Sequence, residues 1–80
     1  MSPEFFQRKI ELVDNYLKKQ ESQRQTEKVK INISKLRQTK QVLSEQLKKV
    51  TAATQDNWVS ARDEASNELK EATKKLHEVE

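Results

Sequence analysis

His77 is the only histidine in the chain, and its neighbours decide whether acid–base or metal chemistry is available. Glu78 and Glu80 stand close by, Glu80 three residues on, but no second histidine or cysteine completes a compact ligand set. The expected role of His77 is that of a solvated side chain interacting with a helix C-terminus. Carboxylates recur at helical spacing, as in Glu64 with Glu68, yet any highly charged helix offers such pairs. Carboxylate catalysis needs a pocket that sets the two acid strengths apart. Ser22, Ser34, Ser44, Ser60 and Ser66 have no histidine within a recognisable nucleophile motif. With cysteine absent, disulfides, thiol nucleophiles and thiolate metal sites drop out together. The reading is non-enzymatic: no catalytic residue, no metal, no cofactor and no small-molecule substrate.

Anion binding is the chemistry with more residues behind it. Arg24, Lys28, Lys30, Lys35, Arg37 and Lys40 are opposed by a single acid, Glu27, in that stretch. On one helix, Arg24, Lys28 and Lys35 share a stripe, and Lys30, Arg37 and Lys48 share another. Two readings follow. The favoured one makes these residues the flanks of a helical seam, paired with acids of a later helix. The other makes Arg24, Lys28, Lys30, Lys35 and Arg37 a surface for nucleic-acid phosphates or anionic lipid. No aromatic residue interleaves with the patch for base stacking, so nucleic-acid contact there would be backbone-directed and salt-sensitive.

The elements that must position these residues are helices. The chain has no glycine, and its one proline is Pro3, so tight turns, bulges and phosphate-cradling loops lack their usual residues. Hydrophobic residues make up 32% against 36% charged, a thin supply for a compact core, and association with another chain is the remedy the composition leaves open. The longest apolar run is two residues, so no membrane-spanning helix and no secretory leader is read, and a cytoplasmic location is expected. Ser2 to Phe5 also fits a vector-derived junction.

Ser2 is read as an N-cap and Pro3 as the first helical residue. Phe6, Ile10, Val13 and Leu17 form one apolar stripe, with Phe5, Leu12 and Tyr16 on the adjacent one. Lys18 to Lys28 contains no apolar residue; it reads as solvated helix, with a polar turn near 20–25 as the alternative because Ser22 and Gln25 have capping-box spacing. Continuity is favoured because no Gly or Asn is present to close a helix there. Val29, Ile33, Leu36, Leu43, Leu47 and Val50 form a second seam, interrupted at Lys40. Thr51 to Asn57 reads as a bend, with Asp56 or Asn57 capping a last helix whose seam is Trp58, Ala61, Ala65, Leu69, Ala72, Leu76 and Val79. Trp58 is expected to fill the wider space beside the bend. Charge supports folding back: residues 1–50 carry a net +6 and residues 51–80 a net −3.

The segment from Gln46 to Trp58, together with Leu69-Lys-Glu-Ala72, resembles the C-terminal part of small bacterial coiled-coil proteins of unassigned role. That resemblance implies a long helical hairpin and carries no chemistry. Gln55 stands where those proteins often have a glycine at the bend, and Leu69 where they often have a second tryptophan.

The expected architecture is therefore all-α and a single domain over residues 1–80: an elongated helical hairpin or coiled coil, with a long helix at about 3–52, a bend at about 53–56 and a second helix at about 57–79. A three-helix bundle is the alternative. In the hairpin, Phe6, Ile10, Val13, Tyr16 and Leu17 would form an open protein interface, serving a homo-oligomer or a helical partner. Their contact with a membrane surface is the lesser reading, because Glu4, Glu11 and Asp14 oppose anionic lipid. The function expected is a coiled-coil assembly, scaffold or adaptor module.

Overall fold

Pro3 opens the first helix, at a position where its missing amide hydrogen would have had no partner. The computed structural model describes residues 3–79, so the Ser2 N-cap and the Glu80 neighbour of His77 lie outside the described residues. The chain forms three α-helices: α1 (Pro3–Glu21), α2 (Glu27–Thr51) and α3 (Trp58–Val79), with no strand among the described residues. They pack into an elongated bundle of 48 × 16 × 14 Å. At 1.5 Å per residue, α2 alone is about 37 Å long and sets most of the long axis. It lies between the other two helices.

The fold is all-α, with the bend and last helix where the sequence puts them, but the long helix over 3–52 is interrupted. Residues 22–26 leave the helix, and the bundle is the three-helix arrangement. No described residue has a positive φ, so the turn is made without the left-handed residue that usually ends a helix. Side chains supply what glycine would have allowed. Ser22 Oγ donates to the Lys19 carbonyl at 2.7 Å, and the Gln23 amide donates to the Gln20 carbonyl at 3.1 Å, tightening the last turn. Gln25 Nε2 donates to the Gln23 carbonyl at 3.0 Å. Thr26 is the N-cap of α2 (φ −79°, ψ 168°), its hydroxyl accepting from the Val29 amide at 3.3 Å.

Magnitudes explain why the turn wins. Unbroken helix through residues 22–26 would keep a few backbone hydrogen bonds, each worth about 0.5–1.5 kcal/mol net. Folding back buries Phe6 and Val13 completely and packs Ile10, Tyr16 and Leu17 against the same core. A fully buried large apolar side chain contributes about 1.5–3 kcal/mol. Replacing Thr26 with alanine should therefore weaken, but not remove, the turn. The expected cost is about 1 kcal/mol, read as a thermal midpoint lowered by roughly 4–8 °C in circular dichroism.

The core is built from residues seven apart on each helix: Phe6 and Val13 on α1, Leu36 and Leu43 on α2, and Ala65, Ala72 and Val79 on α3, with Leu76 alongside. The α2 seam read from the sequence is observed, with Val29, Ile33, Leu36 and Leu43 buried and Leu47 and Val50 packed on the core. Lys40, at its gap, reaches out to Asp14 of α1 at 2.7 Å. A second α2 column, Asn32, Thr39 and Gln46, is also buried. Two of its side chains face α3, Gln46 Nε2 donating to Glu64 Oε1 at 3.0 Å and Thr39 lining a small cavity with Ala72, while Asn32 lines a cavity between the ends of α1 and α3. Thr39 Oγ1 is satisfied within its own helix, donating to the Lys35 carbonyl at 2.8 Å. The middle helix thus meets α3 through polar side chains as well as through Leu43, which borders the same cavity.

Two further expectations are corrected. The five residues assigned to an open interface, Phe6, Ile10, Val13, Tyr16 and Leu17, lie on the inner face of α1, because the turn at 22–26 brings that face onto α2. Trp58 does not fill the core beside the bend; it is 39% exposed, with the Arg62 guanidinium 5.6 Å from its ring centroid. Asn57 rather than Trp58 organises this corner. Its carbonyl accepts from the Ala61 amide at 3.0 Å, and its side-chain oxygen accepts from the Thr54 amide at 2.7 Å.

Gln20 closes the α1 column that Phe6 and Val13 begin, and its Oε1 is buried without a hydrogen-bond partner among the described residues. An unsatisfied buried acceptor costs about 1–3 kcal/mol. Replacing Gln20 with methionine, of similar shape and without that acceptor, should raise the thermal midpoint by several degrees in the same measurement.

Candidate interaction surface

The basic residues of α2 are divided between its two flanks. On the α3 side, Lys35 pairs with Glu78 at 3.4 Å and Lys49 with Glu64 at 3.0 Å. Of the six residues that the favoured reading paired with last-helix acids, Lys35 makes such a pair, whereas Lys40 pairs with Asp14 of α1. Lys30 is held by Glu27 within α2 at 3.8 Å. Of the five candidate anion-binding residues, Arg24 stands in the turn, Lys28 and Lys35 on the flank toward α3, and Lys30 and Arg37 on the flank toward the end of α1, where both line a shallow depression with Glu21 and Gln25. The fold does not gather them on one face.

Glu64 is the acid most affected by its surroundings. The hydrogen bond from Gln46 holds its carboxyl below the ordinary glutamate value, reinforced by the hydrogen bond and charge of Lys49 and opposed by desolvation. The sign follows from linkage. A lowered folded-state pKa adds stability that is complete above the unfolded value of about 4.3, and that stability is lost as pH falls through the lowered folded value. Acid unfolding followed by circular dichroism should show this contribution fading below about pH 4.3. Glu64→Gln should unfold with a shallower dependence on pH over that window.

His77 is exposed in the last turn of α3. Among the described residues no three His, Asp or Glu side chains converge as a metal site, and no helix is long and apolar enough to cross a membrane.

Attention falls instead on the seam between α1 and α3. Those two helices run parallel and meet sparsely, while each packs closely on α2. Between them lies an open groove of about 430 Å³ lined by Phe5, Lys9, Ser66, Leu69, Lys70 and Thr73. Phe5 is 56% exposed there. Leu12, two turns further along the same stripe of α1, is 40% exposed, and Val59, two turns before Ser66 on α3, is 54% exposed. Leu69 is half-buried at the floor, packed against the core. No protein-family model, curated protein or solved structure matches this chain. The groove's meaning therefore rests on its own residues. Phe5 and Leu12 were visible in the sequence as the stripe beside the Phe6 seam. The favoured hairpin left the Phe6 stripe open; the three-helix alternative, which buries that face internally, is the arrangement found, and it leaves the Phe5 stripe outside.

Proposed function

We propose that this chain is a non-enzymatic interaction module, an assembly or adaptor element that works by helix–helix contact through its α1/α3 face. The observation that carries the proposal is the exposure of Phe5 and Leu12 on one stripe above a groove floored by Leu69. Scattered exposed apolar residues are ordinary on protein surfaces, but aligned ones bordering a seam between two helices offer a ridge-and-groove surface that an amphipathic helix can dock on. Nucleic-acid or lipid binding by the α2 lysines and arginines has less support, because Lys30 and Lys35 are ion-paired and the remaining candidates point apart.

A synthetic amphipathic helix of about 18 residues, long enough to hold its fold, with one leucine ridge and glutamine flanks, tests the proposal. Titrated into the isotope-labelled chain, it should shift the amide resonances around Phe5, Leu12 and Leu69, and lose affinity when Phe5 and Leu12 are both changed to serine. Shifts centred on the outer face of α2, or no binding at all, would reject the reading.

A further inference from the structure

The charges around the groove narrow the class of partner. On α1, Lys9 lines the groove and Lys19 falls two turns after Leu12, on the Phe5 stripe. On α3, Lys70 lines it from the opposite wall. None of these lysines has an ion pair among the described residues. Acids stand near them, Glu11, Glu21, Glu68 and Glu71 within two residues along the chain and Glu78 on the cavity that Lys19 also lines, but Glu78 is taken by Lys35 at 3.4 Å and none of the others reaches these lysines. The groove therefore has an apolar floor and a basic rim whose lysines make no ion pair among the described residues. The α2 lysines differ: Lys35, Lys40 and Lys49 each meet an acid of a neighbouring helix.

We infer that the α1/α3 groove binds an acidic amphipathic helix of another protein, its apolar ridge seated on Phe5, Leu12 and Leu69 and its flanking carboxylates facing Lys9, Lys19 and Lys70. This rests on the proposed helix-docking function and adds the sign of the partner. The exposed acids of α1, Glu4 and Glu11, disfavour an anionic lipid surface, which would meet the whole exposed side of that helix rather than the one stripe a partner helix covers. From Phe5 to Lys19 the stripe is about 21 Å long at helical rise, room for about four turns of a partner. The charge pattern also disfavours a second copy, whose own α1/α3 face would bring the same lysines together.

The test compares three peptides of one leucine ridge, with flanks of glutamate, glutamine or lysine, titrated into the full chain. The glutamate peptide should bind at least about tenfold tighter than the lysine peptide, with the advantage shrinking as salt rises. Changing Lys9 and Lys70 together to glutamate should reverse the order, while circular dichroism confirms an unchanged helix content. Equal affinity for all three peptides would overturn the acidic partner and leave helix docking standing; failure of all three to bind would overturn both. Binding to phosphatidylglycerol vesicles with none of the peptides bound would overturn it in favour of a lipid surface. Self-association in sedimentation equilibrium that disappears in the Phe5→Ser, Leu12→Ser variant would overturn it in favour of a second copy.

Discussion

Phe6→Ala is expected to unfold much of the population at room temperature or to lower the thermal midpoint by at least about 12 °C. Phe6 has no exposed surface and belongs to the same buried core cluster as Leu43 and Ala65. Truncating a buried phenylalanine costs about 3–5 kcal/mol, from lost transfer energy and the cavity left behind. A chain of 80 residues has a total stability of roughly 4–12 kcal/mol. The loss is therefore a large fraction of the whole, and each kcal/mol moves the midpoint of so small a domain by about 4–8 °C. The neighbouring change Phe5→Ala removes the same side chain from an exposed position and should shift the midpoint by a few degrees at most. Thermal denaturation of the two variants side by side separates the bundle from an extended hairpin. In a hairpin with a continuous first helix both phenylalanines would be solvent-exposed in the monomer, and the two variants would melt alike.

The contrast between Phe5 and Phe6 also shows how far the sequence could be read. Helical character followed from the absence of glycine, and the bend near 53–56 from the loss of apolar periodicity at Thr51 to Asn57, because both are local signals. The aliphatic seam of α2 was legible for the same reason. The turn at 22–26 was legible only as the alternative near 20–25 that the Ser22 and Gln25 spacing suggested, because its signal is a pair of side-chain hydrogen bonds. Ser22 and Thr26 were the two poor helix formers in the polar stretch, but they interrupt a helix only if burial elsewhere favours it. That burial is the docking of Phe6 and Val13, a tertiary effect. Ser22 closes α1 on Lys19, and Thr26, not Ser22, caps α2. The buried Asn32, Thr39 and Gln46 were hidden for a related reason. Polar residues at the inner edge of a helix read as solvated until a partner of small residues is brought against them. The candidate site inherits both gaps: once α1 folds back, the stripe expected outside is inside, and its neighbour becomes the surface.

Small residues on α3 are what let that polar column be buried at all, and Ala72→Leu is the change that should show it. Ala72 is 3% exposed and borders a cavity of only about 20 Å³ shared with Thr39 and Leu43. Such a space holds about one water-sized probe, far less than the three added carbons of leucine. Overpacking of this kind costs about 1–3 kcal/mol, so the midpoint should fall by at least about 4 °C. The strain should be relieved across the interface by Thr39→Ala. Because the Thr39 hydroxyl donates to the Lys35 carbonyl of its own helix and bonds to no α3 group among the described residues, its removal orphans no described group on α3 and opens room for the leucine. The double variant should therefore melt above Ala72→Leu alone, giving a favourable coupling in a double-mutant cycle, as expected for residues in contact. Additive losses would mean that Thr39 and Ala72 do not share a packing layer. In that case the register of α3 on α2, which also sets the position of Leu69 and Lys70 beside α1, would have to be redrawn.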